Sequence, residues 1–142
     1  IEYYYGIAQT QGTELQVRID LPDPMPLTDV ELCTVLGNLL DNAVEACSRQ
    51  TKGKRRILAV GEIRGNMYFL KIENTYDGLI LPEEKTFRSR KGTAADHGIG
   101  LSSVRRILEN HGGDLDLVPG EETFLVGITI ECPFISKSQR VI

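Results

Sequence analysis

Asn38, Asn42 and Glu45 stand four and three positions apart. On a helix advancing ~100° per residue they fall within ~60° of one another and make one polar stripe. Leu36, Leu40 and Ala43 lie roughly 140 to 160° from Asn38 by the same arithmetic, so the stripe turns away from the apolar face. A carboxamide oxygen is a reasonable ligand for a hard cation such as Mg²⁺, which takes oxygen donors and keeps waters and substrate phosphates around itself. Asn42 is the candidate metal ligand on that ground.

A second chemical signal is His97-Gly98-Ile99-Gly100-Leu101, which stands immediately before another amphipathic run. Free N–H groups and the positive end of the helix dipole make such a start an anion site, and Gly98 and Gly100 let phosphate oxygens approach the backbone. The glycine spacing fits neither the P-loop nor the Rossmann fingerprint. Arg88, Arg90 and Lys91 lie just upstream, where they would neutralise a triphosphate from a lid. Taken singly, these features also describe a solvated helix face, a tight turn and a wet basic patch. Their order along the chain carries more: an Asn-bearing helix, a strand with a polar end, a lid, then Gly-x-Gly opening a helix.

The positioning elements are marked locally. Leu15, Val17, Ile19 and Leu21 alternate with polar residues as in a half-buried strand, stopped by Pro22, Pro24 and Pro26. Thr28 and Glu31 form a capping box and Leu27 with Leu32 a hydrophobic staple, so a helix is expected from about Asp29 to Cys47. Lys52 to Arg56 reads as a basic turn. Ile57–Ile63 and Met67–Glu73 read as antiparallel strands joined across Arg64-Gly65-Asn66. Asn74 to Gly98 exceeds the ~12 to 15 residues of ordinary structureless connections, which marks a functional lid. Leu101, Val104, Ile107, Leu108 and His111 share a helical face that stops at Gly112-Gly113. Leu115–Val118 and Phe124–Ile130 read as closing strands.

The domain reading is a linker or severed helix end over residues 1–12, a catalytic unit over 13–135 and a tail over 136–142. The 142 residues are 41% hydrophobic and 25% charged, ordinary for one soluble globular domain. A net charge of −4 gives no global attraction to nucleic acid or acidic membrane. No apolar run approaches the roughly 20 residues of a membrane span, so the reading is cytosolic. Cys33, Cys47 and Cys132 lack zinc-site spacing, and Cys33 and Cys47 would sit ~21 Å apart on one helix. They read as buried free thiols.

With these residues in place, the chain over roughly Leu15–Pro133 resembles the ATPases that include gyrase, heat-shock chaperones, histidine kinases and mismatch-repair MutL. Its N box is similar to Asn38-Leu39-Leu40-Asp41-Asn42-Ala43 and its G2 box to Gly98-Ile99-Gly100-Leu101. Within that family the segments Asn38–Ala46 and His97–Leu101 resemble most closely the histidine kinases of the peptide-sensing, quorum-sensing type. The resemblance implies an α/β (α+β) two-layer sandwich of the Bergerat type, a mixed and mostly antiparallel sheet with helices packed on one face. It implies ATP and Mg²⁺ as cofactors. Asn42 would then ligate the metal, Asn38 would support the phosphate site, and the amides of Gly98 to Leu101 would hold phosphates. Asn74 stands where most kinases carry the adenine-reading Asp, and its carbonyl still accepts from the adenine amino group. Asp77-Gly78 offers a second alignment of that box. Arg90, beside Lys91, stands for an expected lid lysine, and Glu45 stands where many kinases carry a cation.

Hydrolytic relatives place a glutamate general base where this chain has Asn38. An amide takes no proton, so transfer to a better nucleophile is favoured over water attack. The expected function is transfer of the γ-phosphoryl group to a histidine on a separate dimerisation domain of a sensor kinase. The full-length protein would be a membrane-anchored homodimer that serves a response regulator. His97 and His111 are the only histidines, and neither occupies a separate helical hairpin as the acceptor should. Two alternatives of the same fold are an anti-sigma serine kinase and a nucleotide-binding regulatory module.

Overall fold

The computed structural model describes residues 1–78, 99–132 and 139–141. In chain order they form α1 (Glu2–Thr10), β1 (Thr13–Pro22), α2 (Asp29–Arg49), β2 (Arg55–Arg64), β3 (Met67–Thr75), α3 (Ile99–Asn110), β4 (Asp114–Pro119), β5 (Thr123–Glu131) and β6 (Gln139–Val141).

α2 starts where the capping box places it. Thr28 Oγ1 accepts from Glu31 N–H at 3.1 Å, and Glu31 Oε1 accepts from Thr28 N–H at 2.9 Å. Two of the orphan donors at the helix start are thereby satisfied. Leu27 and Leu32 are both buried, as a staple requires. Further along, Val35, Leu36, Leu39, Leu40, Ala43 and Cys47 are buried against the sheet. Each leucine contributes about 1.5–3 kcal/mol of apolar burial, so this face holds the helix rigidly. The helix ends at Gln50, whose side-chain nitrogen donates to the carbonyls of Lys52 and Lys54 at 2.8 and 2.9 Å.

The sheet has the order β4-β5-β3-β2-β1-β6. β1 and β2 are parallel, with α2 as the crossover between them, and every other pairing is antiparallel. Tyr68, Leu70 and Ile72 of β3 and Val126, Ile128 and Ile130 of β5 point to the helix side and form the core with α2, Val104 and Leu108. The alternate residues Phe69, Lys71, Leu125 and Thr129 are half-buried or exposed. This is the expected mixed sheet with helices on one face. The β2–β3 hairpin also falls as expected, with Gly65 at φ +60° supplying the positive φ that a two-residue loop needs.

Residues Glu2–Thr10, within the stretch read as a linker or a severed helix end, are helical and packed down. Ala8 is buried, Tyr4 Oη donates to Asp41 Oδ1 at 2.8 Å with Gly37 O at 3.1 Å, and Gln11 Nε2 donates to Val44 O at 3.4 Å. Arg55 and Arg56, read as part of a basic turn, open β2. The Arg55 guanidinium donates to Gln11 O and Gln50 O at 2.8 and 2.7 Å, so its charge ties α1 and α2 to the sheet. Gln139–Val141, within the segment read as a tail, pair antiparallel with β1 at Asp20–Pro22. Cys33 is exposed rather than buried, because its side of α2 faces away from the sheet; Cys47 and Cys132 are buried free thiols as expected.

Candidate functional site: the α2 stripe and the start of α3

Asn38 and Asn42 are half-buried on the outward side of α2, and Glu45 is exposed. Asn38 Nδ2 donates to Thr34 O at 2.8 Å, one turn back. That bond uses one of the two donors of the carboxamide nitrogen and fixes the group's orientation. The oxygen end lies against Gly100: a Cβ built at position 100 would come within 2.9 Å of Asn38 Oδ1 and 3.3 Å of Asn38 Cβ and Cγ. Glycine is favoured there because the backbone of α3 runs directly over the Asn38 side chain, which a Cβ would displace. The two motifs are therefore neighbours in space, 62 positions apart in sequence.

Leu101, 3% exposed, anchors the start of α3 in the core, and its amide belongs to the first turn. That turn carries no acidic side chain, so nothing on the helix itself neutralises its positive end. Arg88, Arg90, Lys91, His97 and Gly98 lie outside the described residues, as does the side chain of Ile99.

Asn74 is 5% exposed near the end of β3, on the helix side of the sheet, and its Nδ2 donates to Thr75 O at 3.0 Å. Gly78 follows with φ +86°, and a Cβ there would lie 3.7 Å from Glu121 O. Among the described residues no cluster of His, Cys, Asp or Glu is arranged to hold a metal ion. Asn42 could offer a hard cation such as Mg²⁺ one carboxamide oxygen, with water and phosphate as the kind of further donors that ion takes.

Residues to which the sequence analysis gave no site role also surround this region. Burial, and then the Asp41 carboxylate, push the Tyr4 phenol well above its ordinary value, so it stays a neutral donor to Asp41 and Gly37 O on α2. Thr75 and Tyr76 tie the end of β3 to its surroundings. Their only sequence signal is a Thr-Tyr pair just past an alternating strand. His111 Nε2 lies 3.0 Å from Glu31 Oε2, joining the end of α3 to the cap of α2.

Residues 27–131 match the family model described as the GHKL domain, and the chain belongs to that family. It is 36% identical over 138 residues to the sensor protein kinase CarS of Pseudomonas aeruginosa, covering 91% of this chain and 28% of that protein. The chain thus spans little more than a quarter of that relative's length. The catalytic domain of histidine kinase ThkA, in a nucleotide-free form, superposes with a TM-score of 0.68 at 20% identity, over 92% of this chain and 86% of that one. Full-length ShkA in complex with AMPPNP superposes with a TM-score of 0.66 at 22% identity, over 96% of this chain and 29% of that one. These likenesses establish the fold, a histidine kinase catalytic-domain sandwich.

Proposed function

We propose that this chain is the ATP-binding catalytic domain of a sensor histidine kinase, donating the ATP γ-phosphoryl group to a histidine on a separate dimerisation domain. The observation that carries the reading is the contact of Asn38 with Gly100, which sets a carboxamide against the start of a helix whose first turn carries no acidic side chain. In this reading Asn42 holds Mg²⁺, and the bound ion neutralises phosphate charge. Asn38 supports the phosphate site, the amides of Gly98 to Leu101 bind phosphate oxygens, and His97 belongs to that loop. Arg90 and Lys91 contribute positive charge from the lid segment, and Asn74 with Gly78 contacts the base. Asn38 cannot act as a general base, because an amide takes no proton and its nitrogen already donates to Thr34 O. That supports transfer over hydrolysis.

The acceptor histidine, a response regulator, homodimer formation and a membrane anchor belong to the longer protein in this reading. The AMPPNP held by the ShkA relative supports nucleotide binding here. A peptide-sensing type rests on the segments Asn38–Ala46 and His97–Leu101. The test is calorimetric titration with a non-hydrolysable ATP analogue, with and without Mg²⁺, on the chain and on Asn42→Ala. Affinity should rise with Mg²⁺, and Asn42→Ala should abolish that rise, a loss of about ten-fold or more for a contact to a charged group. A Mg²⁺ effect that survives Asn42→Ala would remove Asn42 from the metal site, and no binding at all would remove the nucleotide reading.

A further inference from the structure

The end of β3 is held by bonds that the phosphate chemistry does not use. Asn74 donates through Nδ2 to Thr75 O at 3.0 Å. A carbonyl only accepts, so the nitrogen end of the carboxamide must face it and the oxygen end is turned elsewhere. Thr75 is itself fixed from two sides. Its Oγ1 accepts from Arg56 N–H at 3.0 Å, and its carbonyl accepts from Cys47 Sγ of α2 at 3.5 Å. Tyr76, 8% exposed, then pins the chain where it leaves the sheet. Its N–H donates to Glu122 O at 3.1 Å, its hydroxyl donates to Gly120 O, and its ring meets Phe124 edge-on with centroids 5.7 Å apart. Gly120 N–H donates to Thr123 O at 2.8 Å, closing the β4–β5 turn that receives the two hydrogen bonds, while the ring contact falls on Phe124 at the start of β5.

We infer that Tyr76 is a positioning residue for the nucleotide base, and that the β4–β5 turn is the anchor through which it holds Asn74 with its carboxamide oxygen turned away from Thr75 O and available to the base. The inference rests on the reading of Asn74 as the base contact. An acceptor held in one orientation selects a purine with a 6-amino donor, whereas a 6-oxo purine sets oxygen against oxygen. Releasing the anchor lets the strand end move and the carboxamide turn. Discrimination then falls while phosphate binding at α2 and α3 persists.

Tyr76→Phe keeps the ring and removes the hydroxyl donor. Calorimetric titrations of Mg-ATP and Mg-ITP into the 142-residue chain and this variant read the difference. The parent chain should prefer ATP, and the variant should lose about three- to ten-fold of that preference, the worth of one hydrogen bond, mainly through weaker ATP binding. An unchanged ratio overturns the inference, and so does an equal loss for both nucleotides, which a purely structural role predicts. Equal affinity of the parent chain for ATP and ITP would instead overturn the base reading of Asn74. Should the variant fail to fold, amide exchange on the parent chain decides: protection of the Tyr76 N–H without nucleotide supports the anchor, and exchange at the rate of open chain overturns it.

Discussion

A methyl group at position 100 has nowhere to go unless Asn38 moves. The Asn38 carboxamide is tied to Thr34 O on one side and lies against Gly100 on the other. Gly100→Ala should therefore displace the side chain that supports the phosphate site. Alanine gains up to ~1 kcal/mol in helix propensity, against about 1–3 kcal/mol for overpacking. The expected result is a lowered melting temperature with about ten-fold weaker Mg-ATP binding by titration. Unchanged affinity would detach Asn38 from the site. At this scale the sequence made the Asn-bearing stripe and the helix start at Gly100 legible, because each has a local spacing, while Gly98 lies outside the described residues. Tyr4 on Asp41, Tyr76 on Gly120 and His111 on Glu31 were not, because partners 37, 44 and 80 positions apart leave no periodic trace.

α2 is the element on which the site depends, and its first turn is joined to the end of α3 by one carboxylate. The Thr28 N–H, and then His111, hold the Glu31 carboxyl below its ordinary value of 4.5. A carboxylate with a lowered folded-state pKa stabilises fully above its unfolded value and loses that contribution as pH falls through the folded value. Glu31→Gln keeps the capping geometry and removes the charge. Melting curves of the parent chain should lie above those of Glu31→Gln at neutral pH and converge with them below about pH 4.5. A gap that stays constant down to pH 3 would show that the charge contributes nothing. The element boundaries were legible where caps, alternation and glycine stops agreed, as at Thr28 and Gly65. They were poorly legible for α1 and β6, whose order comes from docking on α2 and β1 and not from local propensity.

At the scale of the whole molecule, membership of the GHKL family and the mixed sheet follow from an order of motifs that was readable before any coordinates. The registers and the parallel β1–β2 pairing fix which motif faces which. That pairing makes the helix bearing Asn38 and Asn42 a crossover, so its place over the sheet depends on both strands. The stretch 79–98 connects two fastened points, the Tyr76 contacts on one side and the Gly100–Leu101 start of α3 on the other. Joining fixed ends costs only about 0.6 kcal/mol for each doubling of connector length. The scaffold should therefore accept a Gly-Ser tether in place of 79–98, with the cooperative melt retained and Mg-ATP affinity lost. Loss of the melt would mean that the stretch contributes to folding. If the tether is tolerated, evolution and engineers alike can rewrite that stretch independently of the frame that carries it.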